Sequence, residues 1–170
     1  MIILGLGSNL NSSFGDRFNN INLALSHIES HNIKILKKSS FYETPSYPNN
    51  KDPKFINIVV EVSSNLPPAK LASVIMLIEE KLERKRNHKN EPRTCDIDII
   101  DFNKQIIDFK CNNLEFRVPH EMLAFRNFVL IPLKEILPKW RHPKNKEAID
   151  FLIDGLSNID KKSILKIDKS

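Results

Sequence analysis

Asp96 and Asp98 alternate with isoleucines in the run Arg93-Thr94-Cys95-Asp96-Ile97-Asp98-Ile99-Ile100. On a strand, residues two apart share a face and sit roughly 6.5 to 7 Å apart along it, so the two carboxylates would stand side by side with Ile97 and Ile99 turned into a core. Like charges so placed repel unless a cation or basic groups lie between them. Hard oxygen ligands suit Mg²⁺, which is commonly held by one or two carboxylates plus substrate phosphates. Such a pair could bridge two metal ions about 3.5 to 4 Å apart. The competing reading of a bare Asp-x-Asp is a solvated sheet face that binds nothing. Basic residues surround the pair in sequence: Arg84, Arg86, Arg93, His120 and Arg126. Arginine grips phosphate oxygens bidentately, and cations over developing charge are the main device of phosphoryl transfer. Arg84 and Arg86 are expected to close a helix, where a cation is favourable in its own right. His120 alone reads as a hydrogen-bonded structural histidine.

Phe55, Asn57 and Phe128 suggest a second kind of ligand. Aromatic faces can hold a planar heterocycle while an amide, which both donates and accepts, pairs with its edge. Taken singly, each phenylalanine reads more often as core than as ligand pocket. Gly5-Leu6-Gly7-Ser8 lacks the third glycine of a dinucleotide fingerprint, and no Walker-type Gly-Lys-Ser/Thr loop occurs.

The elements that must position these residues follow from hydrophobic period. Ile2–Leu6 reads as a buried strand ending in a turn. From Asp16, the residues Phe18, Ile21, Leu25 and Ile28 recur at helical spacing. Ile33, Ile35 and Phe41 suggest a second strand, stopped at Thr44-Pro45. In Phe55–Val62, Ile56, Ile58, Val60 and Val62 alternate toward a core, which turns Phe55 and Asn57 to the opposite face. Pro67-Pro68 open a helix with the stripe Leu71, Val74, Ile75, Ile78 and Leu82. Asp96–Phe102 is a third clear strand, and Phe128–Leu133 and Ile149–Leu156 read as short helical or packing segments. This order predicts an α+β, ferredoxin-like sandwich: an antiparallel sheet with helices packed on one face, the other left partly free for a ligand. Residues 1–160 are expected to form one domain, and the Lys-rich residues 161–170 a flexible tail.

The 170 residues are 41% hydrophobic and 28% charged, an ordinary globular balance. A net charge of +5 fits an anionic partner without choosing among nucleotide, nucleic acid and membrane surface. The apolar runs are too short to span a bilayer, and no signal peptide is visible. Cys95 and Cys111 have neither metal-ligand nor disulfide-framework spacing, so a reduced cytoplasmic setting is expected.

Over roughly residues 2 to 140 the chain resembles the 6-hydroxymethyl-7,8-dihydropterin pyrophosphokinase family. The resemblance rests on Leu4-Gly5-Leu6-Gly7-Ser8-Asn9-Leu10, Ser40-Phe41-Tyr42-Glu43-Thr44-Pro45, Phe55-Ile56-Asn57, Ile78-Glu79 and Arg84 to Arg86. It continues through Pro92 to Ile99, Val118-Pro119-His120 and Arg126 to Leu133. It implies an ATP-dependent diphosphotransferase of folate biosynthesis that makes AMP and the pterin diphosphate. Asp96 and Asp98 would hold two Mg²⁺ ions. Arg84, Arg93, His120 and Arg126 would be catalytic and would bind the triphosphate, with Glu79 and Ile99 also at the nucleotide. Thr44, Pro45, Phe55, Asn57 and Phe128 would bind the pterin. ATP and the pterin are the partners implied, with no nucleic acid and no membrane, for a monomer or a chain joined to another folate enzyme. Glu91 departs from the family's usual glycine, and Asn90 and Glu121 stand where some members carry aromatics. The readings from other classes are a nucleic-acid-binding module and a ligand-binding regulator. The first lacks the aromatic stacking signature on central strands, and retention of Asp96, Asp98, Arg93 and His120 weighs against the second.

Overall fold

Ile2, Leu4 and Leu6 are buried together with Ile56, Ile58, Val60 and Val62, because the strands that carry them lie side by side and turn the same face inward. The computed structural model describes residues 1–88 and 90–168. In chain order its elements are β1 (Ile2–Ser8), α1 (Arg17–Ser30), β2 (Lys34–Lys38), β3 (Phe41–Thr44), β4 (Phe55–Ser63), α2 (Pro68–Lys81) and β5 (Asp96–Phe102). A hairpin, β6 (Ile107–Cys111) and β7 (Leu114–Val118), follows, then a 3-10 turn (Leu123–Phe125), α3 (Asn127–Ile136), α4 (Ile149–Asp154), α5 (Asn158–Ser163) and β8 (Leu165–Ile167). The main sheet runs β5-β1-β4-β3-β8, with β2 also on β4, and these pairings are antiparallel. The first six predicted elements are therefore present in ferredoxin-like order.

Helices α1 and α2 cover one face. Asp16 caps α1 by accepting from the Asn19 N–H at 2.9 Å. Ile21, Ala24, Leu25 and Ile28 of α1 pack with Leu71, Ala72, Ile75 and Ile78 of α2 on the inward isoleucines and valines of the strands. Burial of this kind, about 1.5 to 3 kcal/mol for a large aliphatic side chain, holds two helices that would be marginal alone. On the opposite face a second cluster joins Ile3, Val59 and Ile100 to Leu123 and to α3 and α4. It covers part of that face and leaves the end nearest Asp96 to the site.

Three expectations are revised. The single strand expected over residues 33 to 44 is two, interrupted at Ser39, whose N–H and hydroxyl bond the backbone of Val59 at 2.9 and 3.0 Å. Helix α2 ends before Arg84 and Arg86. Glu83 takes a left-handed φ of 66°, and the Glu83 and Arg84 N–H groups donate back to the Glu80 and Glu79 carbonyls at 3.0 Å each. This is a Schellman closure made without glycine. Most of the expected tail is ordered, because β8 pairs with β3 and Lys166 Nζ lies 3.4 Å from Glu135 on α3. Lys169 and Ser170 lie outside the described residues.

Strand β5 is also held to the second cluster by a polar bond. Asp101 is fully buried and accepts from the Trp140 indole N–H and the Lys104 backbone N–H, each at 2.8 Å. Trp140→Phe should destabilise the protein by about 1 to 3 kcal/mol, the cost of removing a donor from a buried carboxylate. Urea unfolding of both proteins measures this, and an unchanged midpoint would show that the bond is dispensable.

Candidate active site

The open part of the second sheet face has a floor of two glycines. On β1, Gly5 lies opposite Val59 on one side and Asp98 on the other, and Gly7 lies between Asn57 and Asp96. A Cβ at Gly7 would stand 3.1 Å from Asn57 Oδ1 and 3.4 Å from the Phe55 ring. Glycine thus keeps a gap between the amide on β4 and the carboxylates on β5. Asn57 is buried, and its Nδ2 donates to Thr44 Oγ1 at 2.9 Å, which fixes the orientation of the amide. Thr44, Pro45, Phe55, Asn57 and Phe128 line one cavity with these glycines.

The carboxylates are met by guanidinium groups. Arg84 donates to Asp96 at 2.6 Å, and Arg93 Nε lies 3.1 Å from the other oxygen of Asp96. Arg126 is 3.6 Å from Asp98. Glu79, 2% exposed, stands behind them. It accepts from Arg84, from Arg86 and, at 2.8 Å, from the Ile97 N–H of β5. Arg84 and Arg86 are therefore partners of a buried carboxylate in the loop after α2 rather than helix-terminal charges. Burial raises the Glu79 carboxyl to about 7, against the pull of Arg84. Asp98 is also held above the ordinary aspartate range, first by desolvation and then by the Asp96 carboxylate, with Arg126 opposing, although its side chain is 46% exposed.

His120 and Arg126 form a further pair of donors. His120 Nδ1 accepts from the Met122 N–H at 3.0 Å, which assigns the ring proton to Nε2, 3.4 Å from Arg126 Nη2. Burial and then the Arg126 charge lower the His120 pKa, so the ring is neutral at pH 7. Two donors that face each other in this way call for an acceptor between them. Arg93 Nε is a third, buried without a hydrogen bond despite its nearness to Asp96.

A groove of about 350 Å³ runs around the β5 edge beneath the β6–β7 hairpin and includes Glu79, Arg84, Arg93, Ile99, His120 and Arg126. The structure thus gathers the residues proposed from the sequence for metal, nucleotide and heterocycle into two adjoining cavities, and Arg93, Asp96 and Asp98 line both. A larger cavity of about 510 Å³ outside the hairpin shares only His120 with this set. Its charged residues pair with one another at the surface, Arg117 with Asp108 and Glu121, and Lys110 with Glu115. Sequence reasoning missed Gly5 and Gly7. Their signal was the alternation of β1, which sets both on the face of Asn57 and the aspartates. Glu91 accepts from the Asn87 N–H at 2.7 Å, so its carboxylate is satisfied within its own loop.

Two carboxylates with no third histidine, cysteine or acid grouped beside them, among the described residues, do not make an all-protein cage. They fit a Mg²⁺ ion that takes its remaining ligands from water and phosphate.

Comparison with known proteins finds matches over most of the chain. The profile of the family described as 7,8-dihydro-6-hydroxymethylpterin-pyrophosphokinase (HPPK) matches residues 3–138. The chain is 34% identical over 142 residues to 2-amino-4-hydroxy-6-hydroxymethyldihydropteridine pyrophosphokinase of Aquifex aeolicus, covering 84% of this chain and 83% of that one. It is 38% identical over 144 residues to Folic acid synthesis protein FOL1 of Dictyostelium discoideum, covering 84% of this chain but 20% of that protein. The crystal structure of wild-type Plasmodium falciparum HPPK-DHPS superposes with a TM-score of 0.75 at 16% identity, over 98% of this chain and 48% of that one. The chain thus spans about a fifth of the Dictyostelium protein and about half of the Plasmodium chain.

Gly7→Ala should leave the fold intact and weaken binding to the Asn57 cavity at least about tenfold, since the new methyl group meets the amide oxygen rather than a mobile side chain. Pterin fluorescence titration reads this, and unchanged affinity would refute the role of the gap. The raised Glu79 pKa gives a pH test. Its folded carboxyl binds protons that the unfolded one has released, so its contribution is full below about 4.5 and is lost as pH rises through about 7. The wild-type stability advantage over Glu79→Gln should therefore shrink by on the order of 3 kcal/mol between pH 4.5 and 7.5. Urea titrations at both pH values measure it, and an advantage that grows with pH would contradict the assignment.

Proposed function

The chain belongs to the 7,8-dihydro-6-hydroxymethylpterin-pyrophosphokinase family, and from that premise we propose that it transfers diphosphate from ATP to the hydroxymethyl group of 6-hydroxymethyl-7,8-dihydropterin. The observation that carries the proposal is the common wall of Arg93, Asp96 and Asp98 between an aromatic, amide-bearing cavity and a cationic groove. A heterocycle held in the first and a triphosphate held in the second would meet at that wall.

In this reading the pterin lies against Phe55 and Phe128, with Asn57, oriented by Thr44, pairing with its edge. Arg84, Arg93, Arg126 and the His120 Nε2–H turn their donors to the triphosphate and neutralise it. Glu79 keeps Arg84 and Arg86 at the groove. The pterin hydroxymethyl oxygen attacks the β-phosphorus in line, the new O–P bond forms as the bond from the β-phosphorus to the bridging oxygen of AMP breaks, and the hydroxyl proton is released. Mg²⁺, in our reading two ions, would be held by Asp96 and Asp98 and supply charge neutralisation on the phosphates. Positioning and charge neutralisation then account for most of the catalysis, and no covalent intermediate is required.

We read residues 1–160 as one catalytic domain, acting as a cytoplasmic monomer or joined to a second folate enzyme as in the Plasmodium HPPK-DHPS chain. Among the described residues no helix is long and apolar enough to cross a membrane.

An assay with ATP, Mg²⁺ and the reduced pterin, scored for AMP, tests the proposal. AMP should form only when the pterin is present, and Asp98→Ala should lower the rate at least about a thousandfold, as for loss of a main electrostatic contact in the transition state. ADP in place of AMP would mean attack at the γ-phosphorus, and pterin binding without nucleotide turnover would point to a binding protein.

A further inference from the structure

Asn9, at the end of β1, is 1% exposed, and the two ends of its amide face different neighbours. Nδ2 donates to the Pro53 carbonyl at 3.0 Å, and Oδ1 accepts from the Arg93 N–H at 2.7 Å. The backbone N–H groups of Asn9 and Leu10 donate to the Arg93 carbonyl at 3.1 and 3.2 Å. Pro53 lies two residues before Phe55, and the Arg93 guanidinium sits over the Phe55 ring, 5.3 Å from its centroid. One buried side chain therefore fixes the backbone beneath both halves of the Arg93–Phe55 contact.

We propose that Asn9 is a positioning residue that couples the two substrate cavities, an inference that rests on the proposed function. Arg93 covers the Phe55 face and also reaches Asp96, so any ligand that draws its guanidinium into the groove changes the wall offered in the other cavity. Three hydrogen bonds hold the Arg93 backbone, which confines that exchange to a side-chain swing. The bond to Pro53 keeps the approach to Phe55 in register with it. Without the Asn9 side chain the Pro53 and Arg93 backbones lose their shared tie, only the two bonds to the Arg93 carbonyl remain, and occupation of one cavity is felt less in the other. Asn9 touches neither proposed substrate and acts only through Pro53 and Arg93.

The test is the coupling factor between the ligands: the ratio of pterin affinities with and without a saturating non-hydrolysable ATP analogue and Mg²⁺, read by pterin fluorescence. By linkage the same factor holds whichever ligand is added first. Asn9→Ala should reduce a wild-type factor at least about fivefold toward one, beyond any loss in the separate affinities. Asn9→Asp keeps the shape and the bond to Arg93 but loses the donor to Pro53. It should show the same direction of change, and it replaces the alanine variant if that one does not fold. A wild-type factor of one, or a factor unchanged in the variants, would overturn the inference while leaving the proposed function standing. Wild-type protein that binds neither ligand would instead overturn the function, and this inference with it.

Discussion

Two carboxylates on one face of β5 repel each other, and much of the surrounding structure answers that repulsion. At an effective dielectric constant near 20, unit charges roughly 6.5 to 7 Å apart interact by about 2.5 kcal/mol, enough to matter against a marginal fold. Arg84 and Arg93 answer at Asp96, and Arg126 at Asp98. The arginines in turn need fixing, and Glu79 supplies it from a buried position that also reaches the β5 backbone. A chain of alternating charge thus runs from the interior to the cavity. The cations that balance the two carboxylates are the ones that the proposed reaction brings to bear on a triphosphate. None has to be recruited from solvent.

The sheet can present such a polar wall because its two faces divide the work. The face under α1 and α2 is largely apolar and supplies most of the burial. The face that carries Asn57, Asp96 and Asp98 is relieved of that task except where α3 and α4 cover Ile3, Val59 and Ile100. Helix α3 serves both purposes, since Val129, Leu130 and Leu133 pack into the second cluster while Phe128 closes the cavity. Its far end is tied to β3 through Glu135, which accepts from Ser40 at 2.7 and 3.1 Å and from the Tyr42 hydroxyl at 2.7 Å. The glycines of β1 add the remaining requirement, an unfilled gap between amide and carboxylates. A strand with side chains at both positions would keep its pairing and lose the site.

What could be read from the sequence alone were features set by local period. Alternation in residues 55–62 and 96–99 assigned each side chain to a face, whereas beyond Ile99 a bulge shifts the register, so that Asp101 lies opposite Ile3 and Phe102 returns to the first core. The stripes on α1 and α2 were equally plain, and the named motifs implied which residues would share a site. The tertiary structure decided what depends on neighbours distant in the chain. Arg84 and Arg86 belong to Glu79 rather than to a helix end, because a left-handed residue without glycine, Glu83, closes α2 early. The Lys-rich end is ordered in part because β3 offers an edge and Glu135 a charge, neither visible in residues 161 to 168 themselves. Asn9 reads as one polar residue after a strand until Pro53 and Arg93 arrive on either side. The sequence by itself determined the fold class and the residue types of the site, since both rest on short-range pattern. Only the tertiary structure decided which charges face one another, because Coulomb and hydrogen-bond energies depend on distances that the order of residues does not contain.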